Sequence, residues 1–383
     1  MKSKALLVLA ACVVASALAT AQAPAARGQG APLPPVICQG APGAAQAQAA
    51  QQAAAAAAAP QGRGQGQAQG GARGAAPAQA AQPAERQVMV TAIPGVVAAG
   101  ARFTQVFSTF GNAADGIIAA PDGSLLVNQE DNNAVIRIDQ NDKASIWLID
   151  TNGSGSLSMD RQGRIFAVQR IAQPGTPAAF RTTAPKTAGI SQLWPERKML
   201  ADTFSDGTKW DGRPNDLTAD STGGAYFTQG CVYYASADGR ITLVGEDVRT
   251  NGIVLSHDDK RLFVTNGTTL VAWDVQGPGR LTNKRTFAML EGGGNGDGIT
   301  VDSTGRLYVS SGPGAQVFTP EGKYLGLIPT PRGLTGEVFA GPDRKTLYVV
   351  GNSANDAYGQ TLPFGRTIYK IPMLAEGMKG RSK

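Results

Sequence analysis

Four short acidic or amide clusters are the residues of this sequence best suited to chemistry. Each places an Asp or Asn just before a short apolar strand, and the four are Asp115-Gly116, Asn215-Asp216, Asn251-Gly252 and Asp297-Gly298. Carboxylate and carboxamide oxygens are the ligands that hard divalent cations prefer. Asp-Gly and Asn-Gly are also ordinary turn dipeptides. Because the four clusters occupy one phase of a repeat, they favour a single site built from several repeats.

The repeat that carries these clusters is a β-hairpin, and it occurs six times in the sequence. Its turn centres are Gly123, Gly163, Gly224, Asp259, Gly305 and Asp343. Their spacing of roughly 35–60 residues indicates a repeat architecture. Weaker outer strands follow at 135–138, 232–236, 270–274 and 315–318. Short antiparallel strands without helical periodicity predict an all-β fold, a six-bladed β-propeller in which the four clusters meet at one mouth of the central channel.

The chain divides into three predicted parts, a signal peptide at 1–23, a linker at 24–85 and the propeller at 86–383. Lys2 and Lys4, an apolar run and an A-x-A-like site ending at Ala23 predict export to the periplasm or the medium. The run is shorter than the roughly 20 residues of a membrane span. We favour cleavage at Ala23 over lipidation at Cys12, which would leave a very short apolar region. The linker is almost entirely Ala, Gln, Gly and Pro, which predicts disorder.

Three smaller features of the sequence also bear on the fold. We expect residues 87–91 to add an outer strand to the last blade and close the ring, and the insertion at 173–186 to form a surface loop. In an oxidising compartment Cys38 and Cys231 can pair. Two free thiols are the alternative, and the sequence does not choose between them.

Composition and the single histidine exclude several functions. The net charge of +6 comes from scattered Lys and Arg, and aromatic residues make up only 6% of the chain, so we expect no nucleic-acid partner. His257 lies in a turn at the opposite end of its hairpin from Asn251. A three-His zinc site is therefore excluded, and a Ser-His-Asp triad would need a badly placed residue. Ca²⁺, Mg²⁺ or Mn²⁺ suits the oxygen ligands, with Zn²⁺ in oxygen-rich ligation also open.

Several motifs resemble one known family. RPND at 213–216, the strand ending in YFT at 226–228, TNGI at 250–253 and GDGI at 296–299 are similar to the senescence marker protein, gluconolactonase and luciferin-regenerating enzyme family, which includes regucalcin. The similarity covers most of 102–373. It implies a six-bladed propeller that uses one divalent cation, with Ca²⁺ our first choice, to hydrolyse small sugar-type lactones.

The resemblance also implies roles for single residues. Asn251 and Asp297 match metal ligands, and Asp297 is in addition the candidate for activating water. Asn215 and Arg213 match substrate-binding positions. Asp115 stands where the family usually has a Glu that binds the metal, so we assign it as the third ligand. Two further departures, Gln229 and the pair Asn128-Gln129, replace acidic residues of the family and make the mouth less negative.

Two functions remain open from the sequence. The first is an exported lactone hydrolase in which the cation activates water. The second is a non-catalytic, extracytoplasmic ligand-binding propeller that has kept the architecture and lost the chemistry. The sequence does not name the lactone or the oligomeric state.

Overall fold

The computed structural model describes residues 36–41, Ala50, 84–109, 116–170, 188–355 and 361–383. The predicted signal peptide, most of the predicted linker, the insertion at 173–186 and Asp115 lie outside these residues, so those predictions stay untested. Within the described ranges, no helix has the length and apolar character needed to cross a membrane.

All the named elements of the described residues are β-strands. In chain order they are β1 Thr104–Thr109, β2 Ile118–Ala119, β3 Leu125–Gln129, β4 Ala134–Ile138, β5 Ala144–Ile149, β6 Ser154–Met159, β7 Ile165–Gln169, β8 Gly189–Trp194, β9 Lys198–Ala201, β10 Thr203–Phe204, β11 Leu217–Ala219, β12 Ala225–Ala235, β13 Arg240–Leu255, β14 Arg261–Asn266, β15 Thr269–Gly277, β16 Arg280–Met289, β17 Ile299–Val301, β18 Leu307–Ser310, β19 Gly314–Phe318, β20 Tyr324–Pro329, β21 Leu334–Ala340, β22 Thr346–Asn355 and β23 Thr361–Pro372. The fold is therefore all-β, as the repeats predict.

The strands form four sheets of four strands and one larger sheet of seven. The four-stranded sheets run β2-β3-β4-β5, β6-β7-β8-β9, β17-β18-β19-β20 and β1-β23-β22-β21. The larger sheet runs from β11 to β16, with β10 added beside β13. Each of the six predicted hairpins is present, formed by β2–β3, β6–β7, β11–β12, β13–β14, β17–β18 and β21–β22. The arrangement is propeller-like.

The innermost strands follow one another around a closed circle. β2 neighbours β6, β6 neighbours β11, and the sequence continues through β13, β17 and β21 back to β2. Apolar side chains fill the space between successive sheets. Ile253 and Leu255 pack with Tyr226 on one side, for example, and Ile299 and Leu307 pack with Val254 on the other. Asn215 and Asp297 lie two residues before β11 and β17, and Asn251 lies within β13, two residues before Ile253, which pairs with β14.

The large sheet differs from the expected pattern because two of its strands do not stop where turns were expected. The hairpin strand that contains YFT at 226–228 and most of the outer strand predicted at 232–236 are one strand, β12, and β13 continues from one repeat into the next. Gly230 has a positive φ of 68°, and the pairing register shifts between Gly230 and Val232. A bulge of this kind bends a strand without ending it, so β12 continues past Gly230. The third and fourth repeats share one sheet because β13 pairs with β12 on one side and with β14 on the other.

The prediction that residues 87–91 close the ring is wrong. The outer strand of the last sheet is β1, whose Thr104 and Thr109 pair with Lys370 and Arg366 of β23. Residues 87–91 form no strand; the neighbouring Arg86 amide donates to Pro331 O at 2.8 Å, and Gly100 donates to Val90 O at 2.9 Å. Strand β1 is exposed at Thr104 and becomes buried at Thr109, and its Thr, Val and Phe residues favour a β-strand.

Cys38 and Cys231 form a disulfide, which settles the alternative left open by the sequence. Residues 36–41 therefore pack on the third repeat although they belong to the predicted linker. Val36 and Ala41 contact an apolar cluster that includes Phe204 and Trp210. Outside this segment and Ala50, the structure describes the linker only from residue 84 onward.

Candidate active site

Two predicted site residues from neighbouring repeats meet directly. The carboxamide Nδ2 of Asn215 donates a hydrogen bond to Oδ1 of Asn251. The backbone N–H of Asn215 also donates to the backbone oxygen of Thr228 at 2.7 Å, and the Thr228 hydroxyl donates to the backbone oxygen of Asn251 at 2.6 Å. Both Asn side chains are partly exposed. We call the end of the inner strands where they lie the mouth.

Asp297 from the next repeat lies beside Asn251 because a glycine lets the two backbones approach. A Cβ on Gly252 would lie 2.1 Å from Asp297 O, a distance that real side chains do not adopt. In the same way, a Cβ on Gly298 would lie 2.7 Å from Thr335 O of the last repeat. Neither glycine has a positive φ. The Asn-Gly and Asp-Gly pairs therefore mark close contacts between repeats and not turns.

Arg170 is a site residue that the sequence analysis missed. Its guanidinium is buried, with the residue only 2% exposed, and it donates from Nε to Pro214 O at 3.0 Å. Nη2 donates to Asn215 O at 2.5 Å and to Asn215 Oδ1 at 3.1 Å. Because a guanidinium only donates, Oδ1 of Asn215 must face Arg170. Nδ2 is then directed to the mouth.

Glu130 connects this arginine to the predicted substrate-binding Arg213. One carboxylate oxygen accepts from Arg170 Nη1 at 2.7 Å, and the other accepts from Arg213 Nη2. Glu130 is 9% exposed. It directly follows Asn128-Gln129, the pair that lacked the acidic residues of the family. Glu130 thus supplies an acidic side chain one position after Gln129, and it holds Arg213 at the rim of the mouth.

Glu337 adds a second buried carboxyl near Asp297. It is 3% exposed, and Ser310 Oγ donates to its Oε2. Its Oε1 is buried and has no hydrogen-bond partner among the described residues. Burial raises the pKa of Glu337 well above its usual range, and the charge of Asp297 raises it further. Glu337 occupies a position where the equivalent residues, Ile253 and Ile299, are apolar, and an acidic residue at this position of the hairpin is the sequence signal for a buried carboxyl group.

The remaining predicted residues are placed as follows. Asp115 lies outside the described residues, although Gly116 beside it packs so closely that a Cβ would lie 1.8 Å from Ser156 Oγ. His257 lies in the turn at the far end of its hairpin, as predicted. Burial, together with Arg161 and Arg381, lowers the pKa of His257. A neutral imidazole far from the mouth takes no part in the site.

Comparison with known proteins assigns the family. The sequence profile of the SMP-30/gluconolactonase/LRE-like region matches residues 104–353. The chain belongs to this family. A gluconolactonase of Zymomonas mobilis is 27% identical over 206 residues, which are 46% of this chain and 54% of that protein. Lactonase drp35 of Staphylococcus haemolyticus is 31% identical over 191 residues, 43% of this chain and 56% of that protein. The chain thus spans about half the length of the curated relatives it matches.

Solved structures of the SMP-30/gluconolactonase family share the fold. A gluconolactonase from Xanthomonas campestris superposes with a TM-score of 0.57 at 20% identity, covering 78% of this chain and 99% of that one. A calcium-binding protein, regucalcin, from Agrobacterium tumefaciens superposes with a TM-score of 0.55 at 14% identity, covering 72% and 94%. At these identities the likeness supports the architecture alone.

The donor chemistry at the mouth fits a divalent cation. Asn251 offers a carboxamide oxygen and Asp297 a carboxylate; both residues are partly exposed, and the backbones of their adjacent repeats approach closely at Gly252 and Asp297. Such hard oxygen ligands are typical of Ca²⁺ and Mg²⁺ sites. No group of three or more Asp, Glu, His or Cys side chains suited to a metal occurs among the described residues. Of the three residues predicted as ligands, the structure describes Asn251 and Asp297, and Asp115 lies outside the described part.

Proposed function

We propose that this protein is an exported, divalent-metal-dependent hydrolase of small sugar-type lactones, built on a six-bladed propeller. The observation that carries the proposal is the fixed carboxamide pair at the mouth of an SMP-30/gluconolactonase-family fold. Asn215, held by Arg170, directs its amide hydrogens to Asn251 beside Asp297. We count six blades by treating the large sheet as two blades joined through β13.

The cation would be held by Asn251, Asp297 and Asp115. It would supply positive charge that polarises a lactone carbonyl and makes water more acidic. The name of the calcium-binding regucalcin from A. tumefaciens supports Ca²⁺ as the first ion to test. Mg²⁺, Mn²⁺ and Zn²⁺ have compatible ligand preferences and belong in the same test.

In this proposal Asn215 stabilises the charge that develops during hydrolysis. Attack of water on the carbonyl carbon places negative charge on the carbonyl oxygen, and Nδ2 of Asn215 donates to that oxygen. The Asp297 carboxylate accepts the proton that the water loses. The ring C–O bond then breaks and the departing oxygen takes up a proton, so that the product is a hydroxy acid.

Arg213 and Arg170 have different tasks in this scheme. Arg213 is about a quarter exposed and lies at the rim, where it can donate to hydroxyl groups of a sugar lactone while it stays paired with Glu130. Arg170 does not reach the mouth, because its donors are used by the backbone of Pro214 and Asn215 and by Glu130. It is a positioning residue for Asn215.

The experiment that tests the function measures base uptake at constant pH with gluconolactone and related lactones, corrected for spontaneous hydrolysis. We expect turnover that disappears on chelation and returns on adding one of the four cations. Asp297→Ala should remove activity and specific ion binding together. If no lactone is turned over above background with any of the four ions, the binding-propeller alternative takes the place of the hydrolase.

Export is tested separately. We expect the mature protein, isolated from the periplasm or the medium of cells that express the whole chain, to begin near Pro24. N-terminal sequencing decides this, and a mature protein that still begins at Met1 would contradict it.

A further inference from the structure

The last residues of the sequence lie inside the circle of inner strands. The segment 377–383, which we call the terminal segment, pairs at its start with Asp302, at the end of β17 that lies farthest from the mouth. Further along, Ser382 exchanges two backbone hydrogen bonds with Met159 of β6, at 3.1 and 3.2 Å. Its hydroxyl accepts from the Ala119 amide of β2 at 2.7 Å. These contacts lie at the ends of β17, β6 and β2 that are farthest from the mouth, so the segment closes that end of the channel.

Two basic side chains anchor this segment. Arg381, 3% exposed, donates to Ala219 O at 2.6 Å and to Thr218 Oγ1 at 3.1 Å, and it pairs with Asp259. Lys383, 7% exposed, places its ammonium against Asp216 Oδ1 and lies 3.3 Å from Ser156 Oγ. Lys383 is thus a buried lysine paired with a carboxylate.

Asp216 lies directly below the mouth. It follows Asn215 in the sequence, so it is about 3.3 Å further along the chain. Its Oδ1 accepts from Ser156 Oγ at 2.6 Å and its Oδ2 from the Ile253 amide at 3.2 Å. The carboxylate therefore lies between the second, third and fourth repeats, one residue below the proposed ion site.

We propose that the ammonium group of Lys383 neutralises the carboxylate of Asp216 and so confines a divalent ion to the mouth. This inference rests on the ion site of the proposed function. Without the ammonium, Asp216 is a buried carboxylate of the kind that Ca²⁺ and Mn²⁺ bind. An ion is then drawn towards it and away from Asn215. With the ammonium present, its charge repels any ion that moves down the channel.

The direct test is calorimetric titration of Ca²⁺ and of Mn²⁺ into metal-free protein. We expect Lys383→Met to bind either ion at least about tenfold more tightly than wild type, because a unit charge close to the site has been removed. The matched control is Lys379→Met, which removes an exposed lysine of the same segment. Its ion affinity should equal that of wild type. Equal or weaker binding by Lys383→Met would overturn the inference.

A second pair of variants keeps the test valid if Lys383→Met does not fold. Asp216→Asn alone leaves the ammonium in place, and we expect weaker ion binding than in wild type. Asp216→Asn combined with Lys383→Met removes both charges and should bind more tightly than Asp216→Asn. Equal affinity of these two variants would show that the ammonium has no influence on the ion.

These outcomes are separable from the proposed hydrolase. If wild type turns over no lactone but the order of ion affinities holds, the inference about Lys383 stands and the hydrolase is wrong. If lactones are hydrolysed but the affinities do not follow Lys383, the inference falls and the hydrolase stands. Absence of ion binding by wild type and by every variant would overturn the inference as well.

Discussion

Arg170 Nη2 donates to two atoms of one residue, the backbone oxygen of Asn215 at 2.5 Å and its side-chain Oδ1 at 3.1 Å. The guanidinium lies over Gly155, where a Cβ would be 2.1 Å from Nε, so the neighbouring strand must have a glycine there. The two donors fix both the path of the chain before β11 and the orientation of the carboxamide. The orientation of the Asn215 carboxamide is thus set by a residue of the preceding repeat.

Arg170→Met should lower both activity and stability. The substitution leaves Glu130 buried with one of its two arginine partners removed, and breaking a buried ion pair costs about 3–5 kcal/mol. It also frees the Asn215 carboxamide to rotate. Denaturant unfolding measures the first effect, and the kcat for a lactone measures the second.

Arg137→Met is the control for this variant. Arg137 pairs with Asp122 while 41% of its side chain is exposed. An exposed pair contributes less than about 1 kcal/mol, so stability and kcat should stay close to wild type. Equal losses in the Arg170 and Arg137 variants would contradict the positioning role.

Asn215→Ala should reduce the lactonase rate by about a hundredfold or more, because removal of one oxyanion donor costs about 2.7–4 kcal/mol. Asn215→Asp keeps the shape but replaces a donor with an acceptor next to Asn251, so it should be no better than Ala. Base uptake with gluconolactone measures both. A rate within about threefold of wild type in either variant would mean that Asn215 does not face the carbonyl oxygen.

Gly252→Ala should destabilise the fold and disturb Asp297. The added methyl group needs space that Asp297 O already occupies, and overpacking of this kind costs about 1–3 kcal/mol. Because Asp297 must move, ion affinity should fall in the same variant. Gly312→Ala is the matched control, since nothing lies within 4 Å of its Cβ position. Thermal unfolding with and without Ca²⁺ distinguishes the two, and similar curves would show that the close contact is not tight.

Glu337 should make stability depend on pH. Its pKa is raised in the folded state, so the folded protein holds this proton more tightly than the unfolded chain, whose carboxyl titrates near 4.5. The contribution to stability is complete below that value and is lost as the pH rises through the folded pKa. Glu337→Gln should remove this loss and be more stable than wild type at neutral pH.

The measurement is the free energy of unfolding from about pH 5 to about pH 8, in the presence of a chelator so that no ion offsets Asp297. Wild type and Glu337→Gln should converge at the acidic end and diverge as the pH rises. Parallel profiles would show that Glu337 is not a strained buried acid.

Loss of the disulfide should weaken the third repeat. Removing a native disulfide costs about 2–5 kcal/mol, and this one joins residues 193 positions apart. Cys38→Ala combined with Cys231→Ala should therefore unfold at lower denaturant concentration than oxidised wild type. In a reducing buffer the two proteins should become similar. If they already match without reductant, the crosslink contributes nothing.

Much of the fold was predictable because a β-hairpin is specified by residues that are close together in the sequence. Alternating apolar residues around turn glycines give the strands, and all six inner hairpins are present. The joins between repeats were less predictable. Gly230 turns an expected strand end into a bulge, and the choice of β1 over residues 87–91 as the edge strand depends on packing against β23.

The site was predictable as a set of residue types but not as a network. Asn251 and Asp297 occupy the same position in successive repeats, which predicts that they lie at the same end of the inner strands. The position of Asn215 was predicted in the same way. Arg170 and Glu130 could not be assigned, because each lies at the end of a second strand and acts across a boundary between repeats. Arg170 and Glu130 are 40 residues apart in sequence, and no local pattern records such a contact.

The pairing of β1 with β23 decides when the fold can be completed. β1 is the first named strand to be synthesised and β23 the last, so β1 presents open hydrogen-bonding edges until nearly the whole chain has emerged. An open edge is a template for pairing with other chains. A chaperone that keeps the chain extended during translation would therefore protect this protein most at its first strand, and ring closure would be the slow, late event of its folding.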